Sequence, residues 1–214
     1  MHPWVRFLAQ AASCALLVLA TGSAGARTVT LDAARFPDPA VVDGVPLPMN
    51  GAGIRTRLMF KVYAAALYAQ TRFDSTEAFH KMPGPKRIHV IMLRDVPGDE
   101  LGKLFTRGLE ANMDRASFAR VIPGILKASE LLSECHTLKA GTGFSMDWVP
   151  SRGAVLTAPC TQRVEVIKEH EAFTALLNIW LGAKPADQDL KARLLGTAPE
   201  SARNLGPASG ESAN

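Results

Sequence analysis

Tyrosine and cysteine are scarce in this chain: two of the first and three of the second in 214 residues, with aromatic residues at 7% overall. No C-x-x-C pair occurs. Cys135 and Cys160 stand far apart, without histidines at ligand spacing beside them, which excludes a zinc site of the usual kind. An excess of one charge is also missing. The 24 Lys+Arg against 20 Asp+Glu leave only +4, and no basic run exceeds Lys86-Arg87. There is thus neither a phosphate-tracking stripe for nucleic acid nor a polybasic membrane patch. No apolar run reaches the about 20 residues that cross a bilayer core. What is present, 47% hydrophobic and 21% charged residues, suits one globular domain and is too mixed for a disordered, collagen-like or polytopic membrane chain.

Residues 1–26 have a His2/Arg6 basic start, an apolar stretch from Phe7 to Ala20 broken by Gln10 and Ser13, and the small-residue ending Ala24-Gly25-Ala26. That pattern predicts a secretory signal peptide cleaved after Ala26, hence a periplasmic or secreted protein without stable membrane insertion after cleavage. Cys14 precedes the apolar run Ala15 to Ala20, the wrong order for a lipoprotein site. In an oxidising compartment Cys135 and Cys160 are able to bridge, closing a loop that would contribute about 3.5 kcal/mol in the chain-entropy model. Their spacing leaves open whether they meet.

From Arg27 to Pro48, short apolar runs alternate with Pro and Gly, as extended edge strands and turns do. Residues 52–58, 60–69 and 87–93 read as strands, the last with Ile88, Val90 and Met92 on one face and Ile91 and Leu93 on the other. Pro97 opens a helix to about Arg115, and Ser117 is placed to cap a second one, with Pro123 bending it or marking its start. Three further strands over 144–149, 154–157 and 163–167 are joined by short turn-rich loops. Phe173, Leu176, Leu177, Trp180 and Leu181 form one helical stripe ended by Gly182, and Leu190, Leu194 and Leu195 lead to Gly196. Residues 197–214 are too poor in apolar side chains to offset their ordering entropy and read as a disordered tail. Strands, helices, then strands and helices again predict an α+β domain over 27–196 with a large antiparallel sheet covered by helices.

Three residues stand out as candidate ligand contacts. Arg55 lies in a mostly apolar segment, and an arginine on a strand's inner face must find an anion or several acceptors. Tyr63, eight residues on, returns to the same face along a continuous strand or meets it across a hairpin; Tyr68, an odd step further, takes the opposite face. Guanidinium and phenol together suit a carboxylate or phenolate. Asn112 continues the Leu101, Leu104, Phe105, Gly108 stripe by one turn, where its carboxamide either meets a ligand or caps a backbone segment. Gly51-Ala52-Gly53 is not a dinucleotide loop, because Thr56 stands where the third glycine belongs and no helix opens there. Those glycines instead permit a turn or a close approach. No catalytic triad, metal site or cofactor site is arguable.

Gly51-Ala52-Gly53-Ile54-Arg55, Phe60 through Tyr68, Leu177 through Gly182 and Leu190 through Gly196 together resemble the chalcone-isomerase-like family in its bacterial exported branch, over about Val45 to Gly196. The resemblance implies an open-faced β-sandwich, a large antiparallel sheet with helices on one face and a ligand cleft between them. The plant enzymes of the family close a flavanone ring by conjugate addition of a phenolate, and Arg55 resembles their cleft arginine. Tyr63 falls where they carry a threonine, Phe105 on their tyrosine and Ile179 on their serine or threonine, so two hydroxyl donors are absent. Loss of one such donor costs about 10²–10³ in rate, which argues against efficient chalcone isomerisation. A second branch binds fatty acids through an Arg and a Tyr, a pair that Arg55 and Tyr63 resemble. The leading expectation is therefore a fatty acid or similar amphipathic carboxylate held in an apolar cleft without cofactor. An intramolecular lyase (isomerase) acting on a flavonoid-like phenol, and an envelope interaction protein with a filled cleft, are the alternatives. Ligand identity, turnover and oligomeric state are not legible in the residues.

Overall fold

The alternating apolar pattern in the middle of the chain builds one broad antiparallel sheet, as a computed structural model covering residues 27–198 shows. The expected signal segment 1–26 and the tail from 199 onward lie outside the described residues. Four short strands come first: β1 (Arg27–Leu31), β2 (Ala34–Asp38), β3 (Ala40–Val42) and β4 (Val45–Leu47). The long hairpin β5 (Met49–Arg57) and β6 (Phe60–Ala69) follows, then α1 (Thr76–Lys81), β7 (Lys86–Met92) and β8 (Val96–Pro97). Next are α2 (Gly98–Asn112), α3 (Arg115–Ser133), β9 (Thr137–Leu138), β10 (Gly143–Val149), β11 (Gly153–Thr157) and β12 (Val164–Ile167). Helices α4 (His170–Leu181) and α5 (Gln188–Leu194) close the described chain. The six-stranded sheet has the order β12-β11-β10-β7-β6-β5, antiparallel throughout and open at both edges.

The period-two alternation of β6 and β7 divides two cores. Tyr63, Ala65, Leu67, Ile88, Val90 and Met92 point to one side, into a core shared with α2, α3, α4 and α5. Ala64, Ala66, Tyr68 and Ile91 point to the other, against Phe36, Val42 and Leu47 of the small strands. The two tyrosines therefore lie on opposite faces, as their odd spacing predicts. Alanines at 64, 65 and 66, all fully buried, leave room for layers on both sides of the strand. The α+β architecture with helices on one face is the one expected, and the opposite face is covered by the small strands β1 to β4.

Several local expectations change. Strands β1 to β4 are not edges of the main sheet; they pair with each other as β1-β2 and β3-β4 and bury Phe36, Val42 and Leu47 beneath it. The second helix is capped by Asp114, whose carboxylate accepts from the backbone N–H of Ala116 and Ser117, so the helix starts before Ser117 and runs on through Pro123. Helix α1 was not legible from periodicity; it is a short helix with one buried side chain, Phe79, capped by Ser75. Thr197 and Ala198 belong to the fold rather than to the tail: both N–H groups donate to Ala192 O, and Ala198 is buried. Cys135 and Cys160 form a disulfide with a Cα–Cα distance of 5.4 Å, tying the end of α3 to the loop between β11 and β12.

Candidate ligand site

The glycines of β5 set up the site by what they admit. Gly51, Gly53 and Arg55 follow one another on the helix face of the strand, opposite Leu67, Ala65 and Tyr63. A Cβ at Gly51 would stand 2.0 Å from Arg193 O, and one at Gly53 would stand 2.7 Å from the Arg193 side chain. Helix α5 thus rests directly on the strand backbone. Arg55 is the next residue of that face, and close by the N-cap of α5, Asp187, accepts from Thr56 N.

Arg55 and Tyr63 are direct cross-strand partners, with the guanidinium 5.6 Å from the phenol ring centre. Their alignment depends on an irregularity. The turn at Leu58–Met59 pairs Arg57 with Phe60 and Thr56 with Lys61, so strict alternation would place Val62 opposite Arg55. A bulge there leaves Val62 unpaired with β5 and brings Tyr63 into register. The even spacing of eight gives the right face, but by way of this bulge rather than along a continuous strand.

Tyr63 is 4% exposed, and its oxygen accepts from Trp180 Nε1 at 2.8 Å. Burial, partly offset by the Arg55 charge, pushes the phenol up to about 12, so it stays protonated at neutral pH. Its own proton has no acceptor among the described residues. Arg55 Nε is likewise buried without a hydrogen-bond partner. Both residues border a cavity of about 220 Å³ between sheet and helices. Leu101, Leu104, Phe105 and Gly108 of α2 and Ile179 of α4 form its apolar walls, and Arg107 and Lys184 add positive charge at its border. Among the described residues, no carboxylate lines it. Behind Phe105 and Trp180, packed edge to face at 5.6 Å, lies a small apolar void of about 10 Å³.

Asn112 does not share this cavity. Its Nδ2 donates to Gly108 O and Lys184 O, and its Oδ1 accepts from Lys184 N, each at 2.8 Å. The carboxamide is taken up by the α4–α5 loop, whose residues Lys184, Pro185 and Ala186 close one side of the cavity. Asn112 therefore shapes the wall, the backbone-capping alternative of the two. What sequence reasoning missed is the polar role of Trp180, which it read only as an apolar side chain of the α4 stripe and cleft. Its indole N–H needs a partner when buried, and that requirement was the available signal. Arg107 and Lys184 gave none, because their positions depend on how α2 and the α4–α5 loop pack.

A family model described as chalcone isomerase-like matches residues 28–196. The chain belongs to the chalcone isomerase-like family. Among solved structures, the crystal structure of a fatty-acid binding protein from Arabidopsis thaliana is similar to this chain, with a TM-score of 0.62 at 12% identity over 80% of this chain and 97% of that one. The likeness shows a shared fold. A comparison with curated proteins finds no match. Within this chalcone isomerase-like chain, Phe105 and Ile179 present hydrocarbon to the cavity, so its polar contacts come from Arg55, Tyr63, Arg107 and Lys184.

Proposed function

We propose that this protein is exported to the periplasm and binds a fatty acid or similar amphipathic carboxylate between sheet and helices, without chalcone isomerase turnover. The observation that carries the reading is the polar end of the cavity: a buried guanidinium Nε with no acceptor and a protonated phenol with an uncommitted proton, on adjacent strands. Both are donors, so the group they fit is an acceptor carrying negative charge. The leucine, phenylalanine and isoleucine walls suit a hydrocarbon chain, at about 0.8 kcal/mol for each CH₂ removed from water. That the similar plant structure is named a fatty-acid binding protein supports the same choice. Export rests on the pattern of residues 1–26 alone.

A phenol held protonated to about 12 and already hydrogen-bonded to Trp180 is a poor proton acceptor at neutral pH, which argues against the proton-relay role an isomerase would need. Native mass spectrometry of purified protein should show a carried acyl lipid, and titration with a saturated C16 acid should saturate at one site. An empty protein that fails to bind the acid removes the reading. Incubation with chalcone should leave its visible absorbance falling at the spontaneous rate, and N-terminal sequencing of envelope-fraction protein should begin at Arg27.

A further inference from the structure

The β5–β6 hairpin ends in a two-residue turn whose first position, Leu58, has φ of 55°. Such a position favours glycine, since a side chain with positive φ crowds its own backbone. The chain instead carries leucine there, 91% exposed, followed by Met59 at 83% and Phe60 at 55%. The other large exposed apolar residues among those described are scattered along the chain, at Val41, Ile122, Leu126 and Val164. Three consecutive ones on a projecting turn go against local backbone preference and against solvation together.

Around this tip, basic side chains outnumber the acids left without a partner among the described residues. Arg57 forms no ion pair among the described residues, and Arg94 lies over the Phe60 ring at 5.6 Å without a carboxylate partner. Nearby acids are mostly engaged: Asp32 holds Lys61 at 2.7 Å and Asp95 holds Lys139 at 2.8 Å, leaving Glu100 unpaired. Arg57, Leu58, Phe60 and Arg94, together with Asp95 and Glu100, line a second hollow of about 260 Å³, which shares Arg55 and Leu104 as lining residues with the ligand cavity. The tip thus stands beside a hollow that adjoins the candidate site.

We propose that the Leu58–Phe60 tip inserts into the surface of an anionic lipid bilayer, with Arg57 and Arg94 against the negatively charged headgroups. An apolar tip with a cationic collar is the pattern of interfacial anchoring, in which apolar side chains enter the headgroup boundary and basic ones add attraction to anionic lipid. Three side chains are too few for a stable protein interface, which takes about 800 Å² from each partner. Docking at this point sets the second hollow against the lipid. Its purpose, loading or unloading of an acyl ligand, rests on the function proposed above; the docking itself does not.

The test is co-sedimentation of the full mature protein with vesicles of phosphatidylglycerol and phosphatidylcholine in equal parts, against phosphatidylcholine alone. The protein should bind the mixed vesicles, roughly tenfold more weakly in 0.5 M salt or on the neutral ones. The Leu58→Gly/Met59→Ser variant, which suits the turn better and should fold at least as well, should bind roughly tenfold more weakly, as should Arg57→Glu/Arg94→Glu. Wild-type protein left in the supernatant with both vesicle types overturns the proposal and returns the tip to a protein partner. A glycine-serine variant that sediments like wild type overturns it as well. In vesicle-free solution that variant should bind the C16 acid unchanged, whereas Arg55→Met should lose acid affinity and keep vesicle binding. The two readings therefore fail separately.

Discussion

Replacing Arg55 by methionine separates the two things an inward guanidinium does. The methionine keeps most of the apolar stem and removes the charge, so the walls of the cavity change little. A hydrogen bond to a charged partner contributes about 1.5–3 kcal/mol, which corresponds to a loss of about tenfold to 150-fold in affinity for an acyl carboxylate. Stability should move the other way. Arg55 Nε is buried with no acceptor, and an unsatisfied buried polar atom costs about 1–3 kcal/mol. Against that stands the contact with the Tyr63 ring at 5.6 Å, a cation–π interaction of about 0.5–1 kcal/mol. The balance is a gain of about 1 kcal/mol, or about 2–4 °C in the unfolding midpoint of a domain this size. Calorimetric titration with a C16 acid and thermal unfolding of the ligand-free protein read the two effects separately. An affinity within threefold of wild type would refute the assignment of the carboxylate to Arg55. A variant destabilised by more than about 2 kcal/mol would show that the arginine is structural instead.

Tyr63→Phe leaves the Trp180 N–H without its acceptor inside the core, so it should lower stability by about 1–3 kcal/mol in urea unfolding and weaken acid binding by about threefold to tenfold. The same variant should flatten the alkaline limb: between pH 10 and about 12 the unfolded phenol ionises while the buried one does not, and wild-type stability falls with rising pH across that window. Lys86 is buried, donates to His80 O at 3.2 Å, lies over the Phe79 ring, and is pushed by burial down to about 8. Below pH 8 both states carry its charge and the burial cost is fully present; between about 8 and 10.5 only the unfolded chain keeps the proton, so this residue's contribution to stability improves with pH. Lys86→Met should therefore be more stable than wild type by about 1–3 kcal/mol at pH 7 in urea titration, with the difference shrinking toward pH 10. Reduction of the Cys135–Cys160 bridge should lower stability by about 3.5 kcal/mol, measured by denaturant unfolding with and without reductant and absent in a Cys135→Ser/Cys160→Ser chain.

Where periodicity was strong, the fold was legible. The two faces of β7, the stripe of α4 and the opposed sides of Tyr63 and Tyr68 all follow from spacing, because burial on one side imposes a period that the residues must keep. Strands β1 to β4 are too short to carry a period, so nothing in them distinguished an edge of the main sheet from a separate layer packed on its face. The start of α3 was misplaced by three residues because Asp114 and Ser117 are both able to cap, and the carboxylate takes the backbone donors while the hydroxyl donates to it. At the candidate site, Arg55 and Tyr63 were singled out from chemistry, a charge and a scarce phenol in apolar surroundings, and the structure makes them cross-strand neighbours on one cavity. Asn112 was found by the same argument but serves the loop, since a buried carboxamide is satisfied equally by backbone and by ligand. That choice is decided by where Lys184 comes to rest.

The bulge at Val62 carries more of the design than any single polar residue. In a regular hairpin from the Leu58–Met59 turn, Phe60 and Val62 would face the helices and Tyr63 the small strands. One extra residue in β6 lets Phe60, Val62 and Tyr63 all turn toward the helix side, and Val62 O, freed from β5, accepts from Leu93 N at 3.0 Å. The same irregularity therefore places the phenol beside Arg55 and keeps the exposed aromatic of the tip on the side where the second hollow opens. A single local departure from strand geometry joins the ligand cavity to the projecting turn. Sequence spacing alone gives no sign of it, because no glycine marks the position and Val62 is an ordinary strand residue.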